Sequence, residues 1–158
     1  MPSPPSTGSV LRGRPEPRLG TEPLRRLTRK TSLGFEVIDF ARDVLHEPLL
    51  PWQEEAVCRL LEVEDGGGFR YRTFVITVAR QSGKSHLMRV IGLWALYMHG
   101  ARLILSVAQS LDVAREAWRA ACQSIEADPS LRGELQRVSR VNGDEHLALT
   151  GGRRWKIS

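Results

Sequence analysis

The sequence predicts an α/β fold on an incomplete parallel sheet with a C-terminal β-hairpin, and three observations carry that prediction. Runs of strand character at residues 72–79 and 102–108 alternate with helix-patterned segments at 84–98 and 111–127. This order winds strands into a parallel sheet through right-handed crossovers. The first run contains Thr73, Phe74, Val75, Ile76, Thr77 and Val78, without polar alternation, as in a central strand buried on both faces. Residues 147–158 read as a β-hairpin turning at Gly151-Gly152, because paired glycines supply the positive φ angles of tight hairpin turns.

Taken in order, residues 1–31 form a basic, proline-rich segment. Six of the nine prolines fall within residues 1–30, and with few large apolar groups this stretch predicts disorder. The net charge of +5 is uneven: residues 1–35 hold seven basic side chains (Arg12, Arg14, Arg18, Arg25, Arg26, Arg29, Lys30) against Glu16 and Glu22. The remainder is balanced, so the basic character belongs to the tail and not to a globular face. Order is expected from Ser32, and residues 32–158 are long enough for one domain. Phe35, Ile38, Phe40, Ala41, Val44 and Leu45 give a loose helical stripe that Pro48 closes. Pro51 suits a first helical turn, and Trp52, Ala56, Leu60 and Val63 then line one face at i, i+4 spacing. The glycines at 66–68 mark a surface turn.

Beyond residue 83 the stripe Leu87, Val90, Ile91, Trp94, Ala95, Met98 predicts an amphipathic helix ended by His99-Gly100. Ser110 reads as the N-cap of a helix with the stripe Leu111, Ala114, Trp118, Ala121, Ile125, stopped by Asp128-Pro129. Residues 130–143 are polar and show no clear period. Cys58 and Cys122 lie in helical patterns without disulfide or metal spacing, which fits small buried hydrophobes in a reducing compartment. No apolar leader is visible. The longest apolar run, residues 90–98, is about half of what a membrane span needs.

Chemistry concentrates where the strand-like run meets the helix, at Gly83-Lys84-Ser85. Strand, glycine loop and helix in that order are the context a phosphate-binding loop requires. Gly83 lets backbone approach an anion without a Cβ clash, and amides at the helix N-terminus point towards it. Lys84 would neutralise β- and γ-phosphate charge, and the Ser85 hydroxyl would contribute to a Mg²⁺ shell. The full pattern also wants a glycine five residues before Gly83, where this chain has Val78. Gly143-Asp144-Glu145 is preceded by Ser139-Arg140-Val141-Asn142, not by an apolar strand, so it reads as a turn and not as an acidic Mg²⁺-binding pair. Ala108-Gln109-Ser110 sits where α/β sheets place ligands, at the carboxyl end of a strand, but reads better as a plain strand-to-helix cap. The histidines 46, 86, 99 and 146 have no metal-ligand spacing.

The run Ala79-Arg80-Gln81-Ser82-Gly83-Lys84-Ser85 resembles the deviant phosphate loop of phage terminase large subunits, the ATPases of DNA-packaging motors. Three further blocks, TSLGFEVIDFARDVL, LLPWQEEAV and ILSVAQSLDVAREAW, resemble actinobacteriophage terminases in the same order, so the likeness spans about residues 21–158. It implies a P-loop NTPase fold of the RecA-like ASCE kind, with ATP and Mg²⁺ held by Arg80, Gln81, Ser82, Gly83, Lys84 and Ser85. Lys84 and Arg80 would act on the phosphates, and Gln53 would read adenine. The implied partners are double-stranded viral DNA, the capsid portal and the small terminase subunit, in the host cytoplasm and without a membrane. The family's apolar strand ending in Asp-Glu and its nuclease carboxylates have no match here, so the resemblance also implies an incomplete ATPase domain, inactive and poorly soluble alone. A piece of a helicase- or restriction-type translocase, or a non-catalytic remnant, are the competing readings, and the DNA downstream would separate them.

Overall fold

The computed structural model describes residues 16–158. Helices α1 (Gly34–Asp43) and α2 (Pro51–Leu60) pack on each other, α1 packs on α3 (Lys84–Tyr97), and α3 packs on α4 (Leu111–Ala127). A short α5 (Pro129–Arg132) follows, whose N-terminal amides at Ser130 and Leu131 are capped by the Asp128 carboxylate. Four strands make one sheet: β1 (Leu103–Ser106), β2 (Leu135–Ser139), β3 (His146–Leu149) and β4 (Arg154–Ile157), in the spatial order β1-β4-β3-β2.

The sheet is mixed, so the expected parallel arrangement holds for only part of it. β1 and β4 pair in parallel, with Ile104 opposite Trp155, while β4–β3 and β3–β2 are antiparallel. The β3–β4 hairpin turns at Thr150–Gly152 as expected, with Gly151 at φ +75° and Gly152 at +78°. Strand β2 lies inside the stretch that showed no sequence period, because its exposure pattern follows a partner strand and a register shift near Arg137, not simple alternation.

The helices cover one sheet face. Leu147, Leu149, Trp155 and Ile157 are buried there with Leu87, Val90, Leu93, Trp94, Trp118, Ala121 and Ile125. The Trp155 indole N–H donates to Ser106 Oγ at 2.9 Å. Its ring lies so close to α3 that a Cβ at Gly92 would come 2.7 Å from a ring carbon. Leu103 and Leu105, which point the other way by strand alternation, are 52% and 58% exposed.

Two further expectations are corrected. Residues 72–79 form no strand, and Val75 is 85% exposed. β-propensity alone does not make a strand: a ladder partner must satisfy its amides and carbonyls, and no described strand pairs with this run. Residues 16–31, expected to be disordered, are tied to the domain. The Leu24 N–H donates to Glu62 Oε1 at 2.9 Å, and Glu62, 1% exposed, also accepts from Arg70 at 2.6 Å. Arg25 pairs with Asp65 and Arg29 with Asp39. The buried carboxylate needs donors, and the tail backbone supplies one. Residues 1–15 of the expected tail lie outside the described residues.

Both cysteines are buried and free. Burial pushes the Cys58 thiol up to about 11 and the Cys122 thiol up to about 12, so both stay protonated and unreactive at neutral pH.

Candidate functional site

Helix α3 begins at Lys84, directly after Gly83, whose φ of +87° makes it a left-handed N-cap. The amides of such a first turn have no intrahelical acceptor and carry the positive end of the helix dipole. Gln81, Ser82, Gly83, Lys84 and Ser85 together line an open concavity of about 340 Å³. Five of the seven residues named as candidates from the sequence therefore share one surface.

The missing glycine at residue 78 has a structural explanation. Among the described residues, the only non-glycine positions with positive φ are His46 and Gln81, the latter at +58°. The loop thus makes its left-handed bends at Gln81 and Gly83, while Val78 keeps a conformation any L-residue tolerates. Val78 contributes its carbonyl, which accepts from Lys84 Nζ at 2.8 Å, and the Ala79 carbonyl accepts from the same ammonium at 3.1 Å. Lys84 thereby closes residues 78–84 into a ring, with its charge held at the loop.

Of the remaining candidates, Arg80 is exposed and does not line the concavity. Gln53 lies behind the loop. It is fully buried, its amide nitrogen donates to the Gly83 carbonyl at 2.9 Å, and its amide oxygen accepts from the Leu50 N–H at 2.7 Å. On α2 the buried residues are Gln53, Val57 and Cys58, whereas Trp52, Ala56 and Leu60 are only partly buried. The apolar stripe read from the sequence is one residue out of phase with the buried face, because the pattern counted only apolar positions.

A group of residues that the sequence did not single out braces the loop helix. Arg89 on α3 bonds to Glu47, donates to Ser124 Oγ on α4 at 2.7 Å, and lies 3.0 Å from His86 Nδ1. Burial, together with the Arg89 guanidinium, holds the His86 imidazole below its ordinary value. No spacing rule links residues 47, 86, 89 and 124, so only their charge types could have hinted at the cluster.

The lining fits a phosphate group: it offers a positive-φ glycine, first-turn amides, one ammonium and hydroxyls. It fits a divalent cation only in part. Ser85 is exposed and supplies one oxygen, but no carboxylate lines the concavity. No group of three His, Cys, Asp or Glu among the described residues could hold a metal. Gly143-Asp144-Glu145 is the β2–β3 turn, with Gly143 at φ +84°. There Glu145 is engaged by Arg115 and Asp144 faces Lys156 and His146. Among the described residues, no helix is long and apolar enough to cross a membrane.

Fold and site together define a mixed α/β protein with a Gly-Lys-Ser turn at a helix N-terminus. Among solved structures it is similar to the crystal structure of the HK97 bacteriophage large terminase, at 20% identity and a TM-score of 0.66. The match covers 80% of this chain and 27% of that one, so the chain spans about a quarter of that protein's length. The likeness supports a terminase-like fold. No family model matches the chain, and no curated protein matches it.

Proposed function

We propose that this chain is the ATP-holding portion of a phage terminase large subunit of the actinobacteriophage type, the part of a DNA-packaging motor that grips the nucleotide's phosphates. The single observation that carries the proposal is the loop itself: a left-handed Gly83 leading into α3, with Lys84 folded over the carbonyls of Val78 and Ala79. The terminase-like fold supports it.

In this reading the first-turn amides of α3 and Lys84 Nζ hold the β- and γ-phosphates. Lys84 exchanges its carbonyl acceptors for phosphate oxygens without leaving the loop. Ser85 provides a hydroxyl for Mg²⁺, which would offset phosphate charge during transfer. Arg80, exposed beside the concavity, is free to swing towards the γ-phosphate, where its guanidinium would stabilise transition-state charge. Activating water requires a carboxylate that the lining lacks, so this chain binds ATP and does not turn it over efficiently. Double-stranded viral DNA, the portal and the small terminase subunit, in the host cytoplasm, are the partners this role calls for.

The test is titration of the purified chain with Mg·ATP beside a turnover assay. Saturable binding that Lys84→Ala abolishes, with negligible hydrolysis, supports the proposal. Absence of any Mg·ATP affinity sinks it, and brisk hydrolysis abolished by Lys84→Ala sinks the incomplete-site part.

A further inference from the structure

Resting on the phosphate-loop reading above, we infer that Gln53 is a positioning residue that sets the loop's backbone, and not the reader of the nucleotide base that the family resemblance implies. The geometry begins with burial: Gln53 is 0% exposed and presents no surface to a ligand. Both ends of its amide are engaged, the oxygen by the Leu50 N–H at 2.7 Å and the nitrogen by the Gly83 carbonyl at 2.9 Å. The oxygen's bond reaches back to the residue preceding α2, as a side chain at the third helical position does when it caps a helix. That bond holds the amide's orientation, so its N–H₂ faces the loop.

The bond to Gly83 has a consequence on the far side of the peptide. A carbonyl and the N–H of the following residue belong to one planar, trans unit and point in opposite directions. Holding the Gly83 carbonyl inwards against Gln53 therefore turns the Lys84 N–H away from Gln53. The carbonyl's second acceptor site is taken by the Leu87 N–H at 3.1 Å, the first bond of α3. Gln53 and Leu87 thus grip one oxygen from two sides and fix the plane of the 83–84 peptide. A Cβ at Gly83 would lie 2.8 Å from Gln53 Nε2, so only glycine lets the amide approach this closely. Gln53 acts from another helix, thirty residues upstream, and its effect on an anion is exerted wholly through backbone.

A residue that orients the phosphate donors affects every phosphate ligand alike, whereas a base reader affects only the nucleotide carrying its base. The experiment titrates the full chain with Mg·ATP, Mg·GTP and Mg·tripolyphosphate, using wild type, Gln53→Met and Gln53→Glu. Methionine keeps the volume without the bonds. Glutamate keeps the acceptor for the Leu50 N–H and turns an acceptor towards Gly83. Each variant that melts cooperatively should lose affinity for all three ligands by a common factor of roughly fivefold, the weight of one buried hydrogen bond. The wild-type chain, which needs no variant to fold, should separate ATP from GTP by less than about threefold, since a site that hydrogen-bonds a base discriminates far more strongly. A variant that loses Mg·ATP but keeps tripolyphosphate at wild-type strength overturns the inference, as does one that keeps all three, or a wild-type preference for ATP of tenfold or more. A wild-type chain that binds none of the three overturns the phosphate-loop reading, and the inference with it.

Discussion

Lys84 Nζ donates to the carbonyl of Val78 at 2.8 Å, joining the end of the loop to the position where the usual phosphate-loop pattern has glycine. The contact uses backbone at 78, so a side chain there is no obstacle. Restoring the glycine should gain nothing. Val78→Gly is expected to leave Mg·ATP affinity within about twofold and to lower stability by about 0.5–1 kcal/mol through added chain entropy. Isothermal titration and chemical denaturation of the variant check both.

Gln81 carries the loop's other left-handed bend, at φ +58°. A β-branched residue is a severe misfit in that region, whereas glycine enters it freely. Gln81→Val should cost about 1–2 kcal/mol and weaken tripolyphosphate binding, and Gln81→Gly should keep both near wild type. Thermal melts beside the titrations separate the two outcomes.

Two glycines are fixed by packing. A Cβ at Gly34 would come 2.4 Å from the Cys58 Cα, and one at Gly92 2.7 Å from the Trp155 ring. Backbone cannot step aside as a ring edge can, so Gly34→Ala should destabilise more than Gly92→Ala. Overpacking of this kind costs about 1–3 kcal/mol. Urea midpoints for both variants give the order, and the reverse order would contradict the α1–α2 packing described.

Glu145 sets part of the acid limb of stability. Burial works to raise its carboxyl, but the Arg115 guanidinium and the Gly143 N–H outweigh burial and hold it below the ordinary carboxylate range. A carboxyl depressed in the folded state stabilises above its unfolded value and loses that contribution as pH falls through its folded value. Stability should therefore decline below about pH 4.5, the unperturbed value. Arg115→Met should lower stability at neutral pH and flatten that decline. Denaturation midpoints between about pH 6 and 3 read both.

The legible parts of this protein are those encoded locally. Leu87, Val90 and Trp94 define the buried face of α3, and Ala114, Trp118, Ala121 and Ile125 that of α4, because helical period is a property of neighbouring residues. The hairpin turn and the five residues of the candidate loop from Gln81 to Ser85 could be read the same way. Gln53 could not be placed behind the loop: a polar residue on a buried helix face is visible only when its distant partner, Gly83, is known.

By itself the sequence determined the longer helices, the hairpin and the residue types at Gly83-Lys84-Ser85, all of which depend on residues a few positions apart. Tertiary structure decided which pairs met across long separations. It laid β1 beside β4 in parallel, although about fifty residues separate Ile104 from Trp155. It left the strand-like run at 72–79 without a partner in the described sheet, and it tied the basic N-terminal segment to Glu62. Strand pairing and burial are non-local, since a residue's own propensity is satisfied only when another part of the chain supplies the matching hydrogen bonds or apolar surface.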